Sequence, residues 1–255
     1  MASFFEQMCK VIAESEGSRG KISSASPDLQ KFFSDIPKAV VESSTAVVEQ
    51  YPAVPEAVPE VSGSGQMPST LDELRNAVAN CQNCPLCRTR NNTVFGEGDP
   101  NARLMFIGEG PGADEDRQGR PFVGKAGMLL DKMINAMQFS REEVYIANIV
   151  KCRPPDNRLP APEEAEKCIG YLRQQIGIVR PEVIVLLGAT AVKYLLNVTN
   201  GISRMRGRWL SYENIPVMAT YHPAFLLRQE SAKRDTWNDL QQVMARFGKY
   251  HRRSS

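Results

Sequence analysis

The sequence lacks long apolar runs. No stretch of about 18 consecutive apolar residues occurs in it, so no transmembrane helix of ordinary length is expected. Residues 1–18 carry charges where a signal peptide would need an uninterrupted apolar segment. We therefore expect a cytoplasmic protein with no membrane partner.

Histidine is scarce, and neither sign of charge dominates. Only 2 of the 255 residues are histidines, His222 and His251, and the second lies in the basic sequence KYHRRSS. Residues 1–66 contain five Lys/Arg and nine Asp/Glu, whereas residues 67–255 contain 26 and 20, a net charge of +6. This excess permits nucleic-acid binding without requiring it. Chemistry that needs an imidazole has one good candidate, His222.

The N-terminal part of the chain differs in composition from the rest. Residues 20–68 are rich in Ser, Pro, Ala, Val and Glu and include the sequence SGSG, which is typical of a flexible tether. We predict a disordered extension over residues 1–68, whose first turns could dock on a protein partner. A globular domain, expected to be monomeric, is predicted over residues 69–248, followed by a basic tail over residues 249–255.

From Ser69 onwards, short apolar runs alternate with amphipathic stretches. Ser69 or Thr70 is a plausible N-cap for a first helix. Strands are predicted at residues 103–108, 144–149, 183–187 and 215–220. Further helices are predicted at residues 125–138, 162–178, 189–196 and 232–247. The pattern predicts an α/β fold: a three-layer α/β/α sandwich around a mainly parallel four-stranded sheet.

Several polar or glycine residues fall where the predicted strands end. Glu109 follows the first strand, Asn148 lies within the second, Gly188 follows the third and His222 follows the fourth. In parallel sheets, ligands bind at the carboxyl ends of the strands. These residues are therefore the first candidates for a site.

The cysteines form a second constellation. The six cysteines are at positions 9, 81, 84, 87, 152 and 168. A C-x-x-C pair with two later cysteines supplies four thiolates, which suits either a tetrahedral zinc ion or an iron–sulfur cluster. Such a site would pin the loop before the first strand to the segment after the second. Cys87 is a fifth candidate for four positions, and spacing alone does not decide which cysteine is spare.

The loop GEGPGA, residues 108–113, has the glycine spacing of a dinucleotide-binding turn but other features that argue against one. Pro111 stiffens it, and acidic residues stand where a pyrophosphate would bind. Glycines also allow backbone to approach a flat ligand closely. We therefore expect Gly108 and Gly110 to border such a ligand, with the Glu109 carboxylate directed at it. Phe122 is either a core residue or a stacking surface.

Three motifs together resemble one known group. GEGPGADEDRQGRPFVGKAG, VYIANIVKCRPPDNR and YHPAFLLR, in this order and with this cysteine spacing, are similar to family 4 uracil-DNA glycosylases, the iron–sulfur members of their superfamily. The resemblance covers roughly residues 70–247. It implies base-excision repair of uracil in DNA and a [4Fe-4S] cluster. The ligands that it implies are Cys81, Cys84, Cys152 and Cys168, which leaves Cys87 spare.

The resemblance also implies roles for individual residues. Glu109 matches the acidic catalytic position, Phe122 the residue that stacks on uracil and Asn148 the one that reads the base edge. His222 matches the catalytic histidine of the second motif. A wedge that enters the duplex is implied within the run Phe225, Leu226 and Leu227.

The chemistry of base excision agrees with these roles. An asparagine amide offers an acceptor to uracil N3–H and a donor to O4, the reverse of what cytosine presents. His222 could stabilise negative charge developing on uracil O2, while Glu109 could stabilise the sugar cation, position water, or do both. Acids in the glycine loop therefore face a forming cation. Backbone near Gly110 to Gly112, or Glu115, is our candidate for rejecting the methyl group of thymine.

Phosphate contacts are expected from backbone amides of glycine-rich turns and from arginines. The candidate arginines are Arg204, Arg206, Arg208 and Arg228. Two other functions remain open: a non-catalytic iron–sulfur DNA-binding module attached to replication or repair machinery, and excision of a different base such as hypoxanthine. The first would not need Glu109, Asn148 and His222 together, and the second would need a different edge-reader than Asn148.

Overall fold

The structure is a computed structural model that describes residues 68–249. The predicted extension and its docking segment lie outside the described residues, as does the tail beyond Lys249. Within the described range, no helix combines the length and the apolarity needed to cross a membrane.

A six-stranded sheet forms the centre of the fold. The strands are β1 (Glu97–Gly98), β2 (Leu104–Gly108), β3 (Tyr145–Asn148), β4 (Val183–Leu187), β5 (Trp209–Tyr212) and β6 (Ile215–Thr220). Their order across the sheet is β1-β3-β2-β4-β6-β5. The central strands β3, β2, β4 and β6 are mutually parallel, and β1 and β5 are antiparallel at the two edges.

Eight α-helices accompany the sheet over residues 68–249. They are α1 (Leu71–Ala79), α2 (Ala113–Gln118), α3 (Lys125–Ala136), α4 (Pro162–Val179), α5 (Ala189–Leu196), α6 (Ile202–Met205), α7 (Pro223–Leu226) and α8 (Ala232–Arg246). Helices α1, α4 and α5 pack on one face of the sheet, and α3 and α8 pack on the other. The three-layer α/β/α architecture is confirmed.

The structure adds two strands, β1 and β5, and three short helices, α2, α6 and α7, to the predicted fold. The sheet has six strands because β5 and β1 were missed, and β5 joins β6 through the two-residue turn Glu213–Asn214, both with positive φ (47° and 67°). Such a turn matches the twist of a hairpin. In addition, α2 begins directly after the glycine loop, where no helix was expected. Its sequence ADEDRQ is polar and carries no apolar period to reveal it.

Local capping explains where the domain begins. The Thr70 hydroxyl accepts a hydrogen bond from the Glu73 backbone N–H at 3.2 Å, and the Glu73 carboxylate accepts one from the Thr70 N–H at 3.3 Å. This reciprocal capping box satisfies donors that the first helical turn leaves free. Leu74 and Val78 of α1 then pack into the core. The predicted helix and its N-cap at Thr70 are confirmed.

Candidate functional site

The candidate site lies at the carboxyl edge of the sheet. Gly108 and Asn148 are paired residues at the ends of β2 and β3. Beyond them, the Ile149 N–H donates to the Gly108 carbonyl at 3.0 Å, and the Val150 N–H donates to the Glu109 carbonyl at 3.1 Å. The two chains therefore remain joined past the last ladder pair. Glu109 and Asn148 therefore lie at the ends of two neighbouring strands whose backbones are held together by hydrogen bonds.

Gly108 occupies a position with no room for a side chain. A Cβ atom there would lie 2.5 Å from Asn148 Oδ1 and 2.5 Å from Phe122 Cζ. At Gly110 a Cβ atom would lie 2.6 Å from Val150 Cγ2. Both glycines therefore permit close packing that any larger residue would disrupt. Gly108 in particular lets the Phe122 ring and the Asn148 amide lie close together.

Phe122 is held by contacts on both sides of its backbone. It is buried and has a φ of +50°, which a non-glycine residue adopts only when its surroundings enforce it. Arg141 donates to the carbonyls of Pro121, at 2.5 Å, and of Phe122, at 3.2 Å. The Glu115 carboxylate accepts hydrogen bonds from the backbone N–H groups of residues 123 and 124, at 2.9 Å each. The ring is thus fixed before any ligand binds.

Glu115 lies within this loop network. Besides the two bonds to residues 123 and 124, its carboxylate accepts one from the Gly112 N–H at 3.1 Å. It therefore joins the glycine loop to the segment that carries Phe122. Its predicted contact with thymine remains a prediction, and the structure adds this positioning role.

His222 lies beside Phe122, with ring centroids 5.7 Å apart and planes inclined at 31°. Its Nδ1 accepts a hydrogen bond from the Ala224 N–H at 3.1 Å, so the proton of the neutral ring is on Nε2. The residue keeps some solvent exposure, but dense packing dominates its electrostatics. Burial, and secondarily the charge of Arg228, lower the pKa of His222 to about 4, while Glu115 opposes the shift. At neutral pH the ring is an uncharged donor.

Asn148 has an unused hydrogen-bonding atom. The residue is 1% exposed, and its Oδ1 has no hydrogen-bond partner. Burying such an oxygen without a donor costs free energy, and native structures rarely tolerate it outside functional sites. Oδ1 lies next to the Phe122 ring, since both would contact a Cβ atom at Gly108.

Glu109 is oriented by a residue that the sequence analysis missed. The Thr190 hydroxyl donates to Glu109 Oε2 at 2.5 Å. Burial raises the pKa of Glu109, and the Thr190 hydrogen bond opposes the shift. Thr190 is the second residue of α5, just beyond the carboxyl end of β4. Its position just after a predicted strand is the only feature of the sequence that could have identified Thr190 as a candidate site residue.

If Glu109 has the catalytic role that the family resemblance implies, replacing Thr190 by Val is expected to lower the rate of uracil excision about tenfold, because the Glu109 carboxylate loses the donor that orients it. Thr190→Ser retains the hydroxyl and is expected to stay within about twofold of wild type. Single-turnover rates under saturating enzyme measure the effect. Equal rates for the Val and Ser variants would contradict the positioning role.

Five cysteines line one cavity behind the sheet edge. The cavity is bounded by Cys81, Cys84, Cys87, Cys152, Cys168, Arg90, Lys151 and Tyr171, among others. The Arg90 guanidinium donates to Cys152 Sγ at 3.2 Å, and the Lys151 backbone N–H donates to Cys168 Sγ at 3.2 Å. The predicted gathering of residues from before β2 and after β3 is therefore present.

The donor set fits a metal centre that is held by thiolates. Four or five thiols around a shared cavity match the ligands of an iron–sulfur cluster, which are all cysteines in its commonest form, and also those of a tetrahedral zinc ion. Burial raises the pKa of the Cys152 and Cys168 thiols, and the donors directed at their sulfurs oppose that shift.

Lys151 is completely buried between this cavity and the strand that carries Asn148. Its Nζ donates to the Asn148 carbonyl at 2.9 Å and to Gln175 Oε1 at 2.5 Å. Burial lowers the pKa of Lys151 to about 8, and the nearby Cys168 and Cys152 oppose the shift. The sequence analysis did not identify this residue.

The structure separates the three candidate wedge residues. Leu226 is 0% exposed and packs in the core with α3 and α8. Phe225 and Leu227 are 37% and 47% exposed, and the Phe225 ring lies 5.0 Å from that of Tyr221. Only Phe225 and Leu227 are therefore available for insertion into another molecule.

Among the predicted phosphate-binding arginines, Arg206 has internal partners. Its guanidinium forms an ion pair with Asp239 at 2.5 Å and donates to the Asp235 carbonyl at 2.5 Å. The Asp239 carboxylate also accepts from the Thr220 hydroxyl at 2.7 Å, so the network joins β6 to α8. Arg206 is thus engaged within the protein, whereas Arg228 is exposed beside the candidate wedge.

Known proteins resemble this chain over the same region. The sequence model of the uracil DNA glycosylase superfamily matches residues 95–241. The chain is 48% identical over 158 residues to the type-4 uracil-DNA glycosylase of Thermotoga maritima, a match that covers 60% of this chain and 81% of that protein. It is 40% identical over 188 residues to the type-4 uracil-DNA glycosylase of Archaeoglobus fulgidus, covering 71% and 94%.

The matched region contains the end of every central strand, the Phe122 loop, the buried Asn148 amide and the neutral His222. The family match spans more than half of the sequence, and the relatives align over most of their own length. The chain therefore belongs to the uracil-DNA glycosylase superfamily.

Proposed function

We propose that the protein excises uracil from DNA: it hydrolyses the N-glycosidic bond of a flipped-out nucleotide and leaves an abasic site. The observation that carries the proposal is the buried, unpartnered Oδ1 of Asn148 beside the fixed Phe122 ring. The names of the type-4 relatives support the same substrate.

Recognition depends on the edge and the faces of the base. Uracil stacked on Phe122 presents N3–H, which is the donor that Asn148 Oδ1 lacks, and O4, which accepts from the Asn148 amide nitrogen. Cytosine presents an acceptor at N3 and a donor at N4, so both pairings fail at once. Because Asn148 is buried, water cannot compensate for that mismatch.

Bond cleavage develops negative charge on the base and positive charge on the sugar. The Nε2–H of neutral His222 is the donor for the anion forming at uracil O2, and its Nδ1 is already engaged by the Ala224 N–H. The Glu109 carboxylate stabilises the sugar cation and orients water, while the Thr190 hydroxyl holds it in place. The proton lost by the attacking water passes to Glu109.

Leu227 is the residue that we propose enters the duplex. Flipping a base costs a few kcal/mol, and an apolar side chain in the vacated space offsets part of that cost. Leu227 has the largest exposed fraction of the three candidates and precedes Arg228, which could contact the neighbouring phosphate.

Leu227→Ala is expected to lower excision from double-stranded DNA about tenfold while changing single-stranded DNA less than about threefold, since only the duplex requires the wedge. Comparing kcat/KM on the two substrates measures the effect. Phe225→Ala is the matched variant, because Phe225 is the other exposed residue of the run. A larger duplex-specific loss in Phe225→Ala would assign the wedge to Phe225 instead.

A [4Fe-4S] cluster is the cofactor that we propose for the cysteine cavity, held by the four ligands that the family resemblance implies: Cys81, Cys84, Cys152 and Cys168. When bound, it would supply a rigid cross-link between the chain before β2 and the chain after β3, with no step in glycosidic chemistry. Two of these ligands are buried and carry N–H···S hydrogen bonds, which supports the assignment. Cys87 is the spare thiol.

Cys152→Ser is expected to remove more than half of the bound iron and the brown colour, and to lower the midpoint of thermal unfolding, because one ligand of the cross-link is lost. Cys87→Ser is the control and is expected to keep both iron and colour. Iron and sulfide content per chain measure the outcome. Iron loss in the Cys87 variant with retention in the Cys152 variant would reverse the ligand assignment.

The function is tested on labelled oligonucleotides that contain a single uracil, thymine or hypoxanthine. We expect alkali-labile sites at uracil alone. Cleavage at hypoxanthine would instead assign a different base specificity. An iron-containing protein that binds DNA but cleaves none of the three would favour a non-catalytic DNA-binding module.

A further inference from the structure

The cysteine cavity and the base-reading residue are joined by one side chain. Lys151 is 1% exposed, and its backbone N–H donates to Cys168 Sγ at 3.2 Å. Its ammonium donates to the Asn148 carbonyl at 2.9 Å. A single residue therefore contacts a proposed cluster ligand and the backbone of the residue that reads uracil.

We propose that Lys151 is a positioning residue: its ammonium holds the Asn148 backbone in the place where the amide reads uracil, and it also neutralises the anionic cluster behind the strand. The inference rests on the proposed uracil excision and deepens it. It makes the accuracy of base reading depend on a residue shared with the cluster site.

The position of Asn148 depends on its backbone because the protein offers no hydrogen bond to its side-chain oxygen. Its Oδ1 has no protein partner, so the amide is oriented by the backbone and by packing. The Asn148 carbonyl lies at the last residue of β3, and Lys151 Nζ is a donor to it. Moving that carbonyl would move the amide relative to the Phe122 ring and the base.

The other partner of Lys151 is itself fixed. Gln175 Oε1 accepts from Lys151 Nζ, while Gln175 Nε2 donates to the Phe95 carbonyl at 2.9 Å and to the Tyr145 hydroxyl at 3.1 Å. Gln175 lies on α4, two turns after Cys168 and on the same buried side. Lys151 is therefore held between α4 and β3, so its ammonium stays in place and restrains the Asn148 carbonyl.

The charge of the cysteine cavity also requires a nearby cation. Four thiolates around an iron–sulfur cluster leave net negative charge, and buried charge needs a nearby partner. Three cationic residues line the cavity: Arg90, Lys151 and Lys167, of which Lys167 is exposed. Arg90 donates to Cys152 Sγ at 3.2 Å and to the Ala79 carbonyl at 3.3 Å, and neither bond reaches Asn148. Among the cationic residues of the described range 68–249, Lys151 alone both lines the cysteine cavity and donates to Asn148.

That difference makes Arg90 the matched control. In the iron-loaded, full-length protein, Lys151→Met and Arg90→Met each remove one cation beside the cysteines. Both are expected to lower the reduction potential of the cluster, because a nearby cation favours the more negative reduced state.

Only Lys151→Met is expected to lower the single-turnover excision rate, by about 30-fold, since a buried charged hydrogen bond to Asn148 is lost. Affinity for abasic DNA, which has no base to read, is expected to stay within about twofold of wild type in both variants.

The outcomes separate the inference from the function on which it rests. A wild-type protein that excises no uracil would overturn the function itself. An active wild type with equal excision rates in Lys151→Met and Arg90→Met would overturn the positioning role alone.

If Lys151→Met does not fold, Gln175→Met tests the same role, because it keeps the Lys151 ammonium but removes one of the two acceptors that hold it. We expect it to lower excision about fivefold with an unchanged potential, and an unchanged excision rate would contradict the inference.

Discussion

Asn148→Asp is expected to reduce uracil excision about a thousandfold and to weaken discrimination against cytosine. The carboxylate cannot donate to uracil O4 and repels it, so a favourable hydrogen bond becomes an unfavourable contact in a site that excludes water. The same carboxylate can accept from the amino group of cytosine. Single-turnover rates on oligonucleotides with one uracil or one cytosine measure both effects.

The control for Asn148→Asp is a charge change elsewhere. Asn135 lies exposed near the end of α3, so Asn135→Asp adds the same charge far from the glycine loop. It should leave both rates within about twofold of wild type. If Asn148→Asp excised uracil as fast as this control, the amide would not read the base, and the proposed recognition would be wrong.

The second large effect concerns His222 and the dependence of excision on pH. His222→Gln is expected to lower kcat by about a hundredfold, which is typical of losing one donor to a developing anion. With a pKa of about 4, His222 is neutral and active throughout the range above that value. Its protonation therefore causes no loss of activity between about pH 5 and 8, where an ordinary histidine would titrate.

The acidic limb of the pH profile should instead belong to Glu109. Its carboxylate is the active form, and burial raises its pKa, so activity falls as the pH drops through that raised value. Glu109→Gln should be slow but nearly independent of pH down to about pH 5. Persistence of the same acidic limb in Glu109→Gln would assign it to a different group and would contradict the neutral-histidine mechanism.

The predicted elements that the structure confirms are those with strong local signals. The four parallel strands are continuous apolar runs because both of their faces are covered, and their alternating side chains divide between the two core clusters. The missed elements lack such signals. Strand β5 alternates between half-buried and buried residues at an edge, and α2 is polar throughout.

Some residues of the candidate site were predicted from the sequence, and others were missed. Glu109, Asn148 and His222 were predicted from strand ends and motifs, and the structure places all three at one edge of the sheet. Thr190 and Lys151 were missed because their positions are set by contacts that form only in the folded chain: Thr190 with Glu109, and Lys151 with Cys168 and Gln175. The contact of Thr190 with Glu109, for example, spans 81 positions in the chain. No local pattern carries such information.

The sequence by itself determined the α/β class, the central parallel strands, the gathering of the cysteines and the family to which the chain belongs. These follow from apolar periodicity, residue spacing and long motifs, all of which are visible in the order of residues along the chain. Only the tertiary structure decided that Leu226 is buried while Leu227 is exposed, that Arg206 is paired internally, and that Lys151 joins the cysteine cavity to Asn148. Neighbouring residues of similar chemistry differ in exposure and partners only after the chain has packed, because burial is a property of the assembled core.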